Sequence, residues 1–367
     1  MALKQSETGG YDYFILVPVI ALVGLGLVLV YSASSHSAAL RIGDSYFYLK
    51  RQALFCLIGL GGMIMAKNIP CAVYSKLVYP LLVASVVLLV LLFVPGFGHK
   101  VGGASRWLKV GAFSFQPSEL AKFSLVVYMA YSMSKKGSNM EVFSTGVLPH
   151  LLVAGVFMLL MILQPDLGTA LIIGCWLLIV LFVGGVRLRH LLGLILLSGP
   201  IVLWLVWRVD YRLKRWWAFI NPWDDPRGIG FQIVHSFLAF GSGGVFGAGL
   251  GNSKQKLFYL PEAHTDFVFS VAGEELGFLG VSIIIILFGF LIVRGIKVAL
   301  GSRELYSSYL ALGLTCMLGL QVLVNMGVVM GLLPTKGLTL PFFSYGGSSL
   351  VLNLLGIGIL LNISSRA

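Results

Sequence analysis

The sequence predicts an all-α polytopic membrane protein of about ten transmembrane helices, with one long extracytoplasmic loop between helices 7 and 8. Of its 367 residues, 58% are hydrophobic and only 11% are charged. Apolar runs of about 18 or more residues recur along the chain, which is the length that a helix needs to cross the hydrocarbon core of a bilayer. The loop, at about 209–274, is the only long interruption of this pattern. We therefore expect residues 1–367 to form a single integral membrane domain.

The predicted spans follow each other closely, and most are separated by short polar segments. They cover residues 13–33, 52–70, 77–96, 117–135, 146–164, 167–185, 189–208, 275–295, 306–330 and 342–363. An even number of spans places both termini on the same side of the membrane. Lysine and arginine in the short loops favour the cytoplasm for that side.

The basic residues also indicate what the protein meets. The formal net charge is +12, and many of the cations fall in the predicted outer loops. An excess of positive charge there suits anionic lipid headgroups or an anionic lipid substrate. Nucleic acid is the weaker interpretation, because the cations are divided between loops on two sides of a membrane. The four cysteines form no pair with metal-binding or redox spacing, so we expect no metal site from them.

A pair of charges begins the fourth span. Pro117 suits the first turn of a helix, and Glu119 and Lys122 are three residues apart and so share a helix face. One interpretation is a structural ion pair inside the bundle. The other is that Lys122, or Arg106 in the preceding outer segment, binds a substrate in a polar cavity, since charges within spans are often functional.

The long loop has an ordered composition. Its first part, residues 211–217, alternates basic and aromatic residues, and Arg212 and Arg215 would lie at a headgroup interface. Residues 241–251 are rich in glycine but lack the strand, helix and lysine of a nucleotide-binding loop. Close packing of the backbone is the favoured interpretation of that segment.

Two further outer segments carry isolated polar groups. Asp166 stands at the start of the sixth span, where a role as helix N-cap is favoured. Lys336 is the only charge in residues 333–349, and the hydroxyls that follow it include Ser348. A cation with hydroxyl groups suits phosphate or sugar, although ordinary capping and packing explain the same residues.

The most acidic stretch, residues 254–277, holds the candidate catalytic groups. Glu262 and Asp266 are four residues apart, and Asp266 is followed by an apolar run whose shielding would favour a proton-accepting carboxylate. Helix capping by Asp266 is the alternative, and His264 competes as a base. Spacing alone leaves the three residues open. Glu274 and Glu275 are expected only to begin the next helix.

Seven motifs distributed over nearly the whole chain resemble those of the SEDS family of bacterial cell-wall polymerases, whose members include FtsW, RodA and SpoVE. They are GASRW (103–107), QPSELAK (116–122), QPDLGT (164–169), GGVFGAGLG (243–251), PEAHTDF (261–267), GEELG (273–277) and PTKGLTLPFFSYGGSS (334–349). The segment around PEAHTD is more similar to the division branch, FtsW, than to the elongation branch, RodA, which more often has glutamine at the position of Ala263.

The resemblance implies a peptidoglycan glycosyltransferase that polymerises lipid II, a disaccharide-peptide linked to undecaprenyl diphosphate, at the outer face of the bacterial inner membrane. By family analogy Asp266 is the general base. The cations Arg106, Lys122, Lys336, Arg212 and Arg215 would contact diphosphate or sugar, with Glu119, Glu262, His264 and Ser348 completing the substrate site. A divalent cation such as Mg²⁺ or Mn²⁺ could help to neutralise the diphosphate, but no cluster of ligands in the sequence requires one.

The same resemblance implies partners and a location. We expect a class B penicillin-binding protein of the FtsI type, further divisome proteins such as FtsQ, FtsL and FtsB, membrane lipids, and a place at the division septum. Two other classes of function stay open at this point. A flippase for the lipid precursor would use the same fold without forming a bond, and a scaffold would only recruit the transpeptidase.

Overall fold

The computed structural model describes residues 11–101, 104–111, 113–256 and 264–366. Its α-helices are α1 (Tyr13–Ile42), α2 (Phe47–Asn68), α3 (Cys71–Lys76), α4 (Val78–Leu91), α5 (Pro117–Lys136), α6 (Leu148–Leu163), α7 (Leu167–Val183), α8 (Leu188–Trp207), α9 (Asp210–Ile220), α10 (Phe231–Gly243), α11 (Val268–Gly301), α12 (Leu305–Val329) and α13 (Gly347–Ser364). A short 3₁₀-helix (Gly137–Glu141) and a π-helical turn (Phe143–Val147) join α5 to α6.

Each predicted span corresponds to a helix, and the chain is an all-α multi-pass membrane protein. Within the described residues, seven helical segments are long and apolar enough to cross a bilayer, and two shorter apolar helices, α4 and α7, accompany them. The one predicted span that is not among these nine is the fourth, which is α5. It carries Glu119, Lys122, Lys135 and Lys136, so its apolar character is interrupted at both ends.

Several predicted boundaries were wrong, and the long loop is the largest correction. The segment at about 209–274 contains α9 and α10, and the following helix begins at Val268 rather than at residue 275. The last helix begins at Gly347 instead of residue 342. The residues just before it form turns. The packing of this loop backbone, and not the hydrophobicity of its side chains, determines where the helix starts.

The segment between α4 and α5 adds a small sheet that the sequence did not predict. Strands β1 (Gly98–Val101), β2 (Ala104–Val110) and β3 (Phe113–Phe115) pair antiparallel in the order β1-β2-β3. Leu108 pairs with Gly98 on one side and Phe115 on the other, which fixes the register of β2. The sheet holds Arg106 beside the start of α7.

Both described ends of the chain lie on one face of the bundle, which we call the terminal face. The Asp12 carboxylate accepts hydrogen bonds from Arg294 Nε at 2.9 Å and from the Ser364 hydroxyl. These contacts join the start of α1 to α11 and to the end of α13. The opposite face, which we call the site face, carries the β-sheet, α9, α10 and residues 330–346.

Helix α12 lies at the centre of the bundle and contacts α5, α7, α11 and α13. The indole of Trp176 on α7 donates to the carbonyl of Gly313 on α12 at 2.9 Å, inside the apolar core. By contrast, only Leu191 of α8 is buried, and most of its apolar side chains face outward. Lipid would cover that helix in a membrane.

A glycine-dependent contact bends α11 near its start. Gly277 has φ 67° and ψ −168°, and a Cβ there would lie 2.7 Å from the carbonyl oxygen of Val245. The backbone N–H of Phe278 donates to Gly244 at 2.9 Å, and that of Ala248 donates to Glu274 at 2.9 Å. The glycine-rich segment therefore supplies close backbone packing, as expected.

Replacing Gly277 tests this contact. Gly277→Ala should destabilise the protein by at least about 1–3 kcal/mol, because a Cβ is strained at this φ and collides with the neighbouring backbone. Gly62→Ala on α2 is the control, since no atom lies within 4 Å of the added Cβ. Thermal unfolding in detergent should show a lower Tm for Gly277→Ala alone. Equal Tm values for both variants would contradict the packing argument.

Candidate functional site

A cleft opens on the site face. Its walls come from β2, the start of α7, the end of α8, α9 and the segment before α13. Four basic side chains line it: Arg106, Arg212, Arg215 and Lys336. Among the described residues that line it, Asp166 is the one acidic residue, so this part of the cleft carries an excess of positive charge.

Asp166 fixes one of these cations while it caps α7. Its carboxylate accepts from the backbone N–H of Thr169 at 3.3 Å and from the Thr169 hydroxyl at 2.9 Å, which confirms the predicted N-cap. The oxygen that accepts from the Thr169 backbone, Oδ1, also lies 3.8 Å from Nη2 of Arg106. Arg106 also donates to the carbonyl of Pro165. The guanidinium is therefore held in place by a helix terminus.

Helix α9 brings the two arginines of the basic–aromatic strip into the cleft. Arg212 Nη1 donates to the carbonyl of Leu205 at 2.9 Å, and Arg215 Nη1 reaches that of Thr335 at 3.4 Å. Burial lowers the pKa of Arg215; the nearby Arg106 guanidinium also lowers that pKa, while the Asp266 carboxylate raises it. An arginine keeps its charge despite such a shift, so these side chains form a cationic surface that is partly exposed to the cleft.

Lys336 completes the cationic wall. Burial lowers the pKa of its ammonium group. Its stem passes Gly168, where an added Cβ would lie 3.6 Å from the Lys336 side chain. A desolvated ammonium ion is stabilised by an anion that enters beside it, so Lys336 is suited to an anionic ligand.

Asp266 lies at the edge of the same cationic group. A Cβ on Gly337 would be 3.2 Å from Asp266 Oδ2 and 3.7 Å from Arg106 Nη1, so glycine at this position leaves room for both side chains. Asn325 Nδ2 donates to the backbone carbonyl of Asp266 at 3.1 Å and to that of Leu338 at 2.5 Å. The half-buried carboxylate is therefore positioned through its backbone.

His264, although two residues from Asp266, contacts a different part of the site. Its ring centroid lies 4.5 Å from that of Tyr48 and 5.9 Å from that of Tyr345. The backbone N–H of Tyr345 donates to the carbonyl of His264 at 2.9 Å. The histidine is thus part of an aromatic group beside the cleft.

Other predicted site residues lie elsewhere. Glu119 and Lys122 form a buried ion pair of 2.7 Å and line a separate, small cavity between α5, α12 and α13. The Ser348 hydroxyl accepts from the backbone N–H of Gln116 at 3.1 Å and is buried. Glu262 falls outside the described residues. Substrate contacts by these residues stay predictions.

The expectation that Glu274 and Glu275 only begin a helix was wrong, because both are buried inside α11. Glu275 Oε1 accepts from Ser32 at 2.6 Å and from Lys256 Nζ at 2.9 Å. Glu274 accepts from the backbone N–H of Lys254 at 2.9 Å. Together they fix the segment that leads toward Asp266. Two adjacent acids in an apolar run were the signal for such a role.

Comparison with known proteins places these observations in a family. The profile described as "Cell cycle protein", for FtsW, RodA and SpoVE, matches residues 13–367. The probable peptidoglycan glycosyltransferase FtsW of Geobacter sulfurreducens is 49% identical over 366 residues, which is 100% of this chain and 98% of that protein. Stage V sporulation protein E of Bacillus subtilis is 44% identical, over 96% of each chain.

Solved structures share the fold. One chain, from a study of how a peptidoglycan synthase complex coordinates polymerisation and crosslinking, matches with a TM-score of 0.79 at 34% identity, over 97% of this chain and 98% of that one. The rod-shape-determining protein RodA of Thermus thermophilus matches with a TM-score of 0.71 at 33% identity, over 97% of both chains.

The buried contacts of Glu275 give a testable prediction. Glu275→Gln leaves Lys256 with a side chain that is 7% exposed and without its counter-charge, and loss of one partner from a buried pair costs about 3–5 kcal/mol. The expected result is a clearly lower Tm. Glu141→Gln serves as the control, because Glu141 pairs with Arg187 where both side chains are about half exposed. If the Glu275→Gln protein is as stable as the control, the pair of Glu275 and Lys256 does not stabilise the fold.

Proposed function

The chain belongs to the FtsW, RodA and SpoVE family of cell cycle proteins, and from this premise we propose that it joins lipid II molecules into glycan strands as a peptidoglycan glycosyltransferase. The observation that supports the proposal most is the placement of one carboxylate, Asp266, at the edge of a cleft lined by four cations. A reaction between a sugar hydroxyl and a sugar diphosphate needs both kinds of group.

In the proposed reaction, Asp266 removes the proton from the 4-hydroxyl of the acceptor sugar. The hydroxyl oxygen then attacks the anomeric carbon of the donor sugar and forms the new glycosidic bond. The bond from that carbon to the diphosphate oxygen breaks, and its electron pair leaves with the lipid diphosphate. A positioned general base is worth about 10²–10⁴ in rate.

The cations would stabilise the charge that develops on the leaving diphosphate. Arg106 and Arg215 lie close to Asp266, and Lys336 contributes a half-buried ammonium group beside Gly168. Held by Asp166 and by backbone carbonyls, the guanidinium groups need little rearrangement when the substrate binds. Such preorganisation favours the transition state over the free substrate.

The lipid part of the substrate has an apolar wall at the same site. Val202 and Val206 of α8 line the cleft, and the remaining surface of α8 faces outward with exposed leucine, isoleucine and tryptophan side chains. A polyprenyl chain could therefore stay in the bilayer while its diphosphate reaches the cations. This arrangement suits a substrate that is half lipid and half sugar.

A divalent cation is part of the proposal only as a companion of the diphosphate. Within the described residues, no group of three histidine, cysteine, aspartate or glutamate side chains comes together to hold a metal ion. Such a cation would take most of its ligands from the diphosphate oxygens and from water.

The cellular setting is proposed from the family. We place the protein in the bacterial inner membrane with the terminal face toward the cytoplasm and the cleft on the outer side. Its high similarity to FtsW proteins supports a role at the division septum, with a class B penicillin-binding protein and divisome proteins of the FtsQ, FtsL and FtsB kinds as partners. An elongation role like that of RodA is the alternative.

A flippase is a second candidate, and the cavity lined by Glu119 and Lys122 favours it. That cavity carries a buried ion pair and the amides of Gln321 and Asn353 between three helices. Polar groups inside a bundle are typical of transport pathways. Vesicles that move labelled lipid II across the bilayer but never form strands would decide for this candidate.

Asp266→Asn tests the central role. It should lower kcat for strand formation by about 10²–10⁴ without lowering Tm, because the amide is of equal size but accepts no proton. The measurement follows labelled lipid II on gels, with the partner transpeptidase present. Asp44→Asn is the control, as Asp44 pairs with Lys50 on the exposed surface. If Asp266→Asn polymerises lipid II normally, Asp266 is not the base.

The pH dependence of the reaction at alkaline pH tests the role of Lys336. Because burial lowers the pKa of Lys336, its charge should be lost at a lower pH than that of an ordinary lysine. The KM for lipid II should therefore rise as the pH increases through that pKa. Lys336→Arg should flatten this rise, and Lys336→Met should raise KM at all pH values. If KM depends on alkaline pH in the same way in the native protein and in both variants, Lys336 does not belong to the diphosphate site.

A further inference from the structure

A group of partly exposed aromatic rings lies beside the cleft. It includes His264, which precedes Asp266 by two residues. The rings of Tyr48 and His264 have centroids 4.5 Å apart, and those of Tyr48 and Tyr345 are 5.0 Å apart at 85°. All three side chains are half-buried, unlike the core aromatics Phe269 and Phe343, which have no exposed surface. We call Tyr48, His264 and Tyr345 the aromatic platform.

Three separate chain segments are tied together to form this platform. Gln52, four residues after Tyr48 on α2, donates to the carbonyl of Ser344 at 3.1 Å and accepts from the backbone N–H of Gly346 at 3.3 Å. Its side chain is buried, with 1% of the residue exposed. The backbone bond from Tyr345 to His264 adds the third segment. The ring positions are thereby fixed before any ligand binds.

The platform also carries polar groups. Arg51 lies beside Tyr345, where its guanidinium opposes the rise in the tyrosine pKa that burial causes. The same guanidinium lies over the Phe47 ring, 4.4 Å from its centroid. Aromatic faces with hydroxyl, imidazole and guanidinium groups at their edges match a ligand that has apolar C–H faces and polar rims. Saccharides have this character.

The position of the platform relative to Asp266 indicates whether it would hold the donor or the acceptor sugar. His264 and Asp266 are separated by one residue, so their Cα atoms are at most about 7 Å apart. Among the described residues, the platform and the lining of the cationic cleft have no member in common. A donor diphosphate in the cleft thus leaves the platform available for a second sugar close to the Asp266 backbone.

We propose that Tyr48, His264 and Tyr345, with Arg51, form the acceptor saccharide subsite, which packs the acceptor glycan against the rings and presents its hydroxyl to Asp266. This inference rests on the proposed function, because an acceptor exists only in a transferase. Arg51 would bind a carboxylate of the muramyl or peptide part. The platform gives the acceptor a binding site that does not depend on a diphosphate.

Binding of a soluble glycan tests the subsite without the reaction. The probe is a tetrasaccharide of alternating N-acetylglucosamine and N-acetylmuramic acid that carries no lipid or diphosphate. It is added to the full-length protein in nanodiscs and followed by saturation-transfer NMR. Tyr48→Leu and Tyr345→Leu should each weaken binding at least tenfold, while Tyr48→Phe, which keeps the ring, should stay within about threefold of the native affinity.

The matched control is Tyr79→Leu. Tyr79 forms an edge-on pair with Tyr131, whose ring centroid is 6.1 Å from its own, and this pair does not belong to the site face. This variant should bind the tetrasaccharide like the native protein. Tm values identify any variant that has lost its fold. Tyr48 and Tyr345 lie in different segments of the chain, so if one leucine variant fails to fold, the other still tests the subsite. Native protein that binds no tetrasaccharide, or leucine variants that bind it as well as Tyr79→Leu, would overturn the subsite.

Polymerisation of lipid II separates the two proposals. The subsite predicts that Tyr48→Leu raises KM and shortens the strands, with a smaller effect on kcat. If the native protein forms strands and the leucine variants form strands of equal length at equal KM, the subsite is wrong and the glycosyltransferase stands. If the native protein forms no strands with its partner present, the glycosyltransferase proposal fails, and with it the acceptor assignment.

Discussion

The side-chain amide of Asn325 is the interaction on which the site depends. It donates to the carbonyl of Asp266 in one segment and to the carbonyl of Leu338 in another, and it does so from a buried position near the end of α12. A single polar group on the most central helix therefore sets the distance between the carboxylate and the segment that carries Lys336. Buried amides that satisfy backbone carbonyls are rigid, because leaving those carbonyls unpaired would cost about 1–3 kcal/mol each.

The second constraint is the low dielectric of the surroundings. Charges are costly in a membrane bundle unless they are paired or meet a ligand of opposite sign. Glu275 with Lys256 and Glu119 with Lys122 satisfy this condition internally. At the cleft, Arg215 is exposed and Lys336 is half-buried, and a diphosphate would supply the opposite charge. Stability and ligand binding therefore impose the same arrangement of charges.

Hydrophobic periodicity was sufficient to predict the architecture, since each predicted span corresponds to a helix. It failed between α8 and α11, where α9 and α10 form and where backbone bonds join the glycine-rich segment to α11. It also missed the sheet that carries Arg106, because short strands paired across turns have no long periodic signal. The roles of Glu274 and Glu275 were missed for a related reason: their partners, Ser32, Ser253 and Lys256, lie far away in sequence or in irregular backbone.

The sequence by itself determined the fold class, the excess of positive charge and the motifs that mark the family. It also determined that Asp166 caps a helix, because an N-cap is a contact between near neighbours in the chain. Tertiary structure alone decided which charges share a site. It brought Arg106, Arg215 and Lys336 to one cleft beside Asp266, and it placed Glu119 and Lys122 in another cavity. The physical reason is that a charged side chain acts over a few ångströms, and only the packing of distant segments sets those distances.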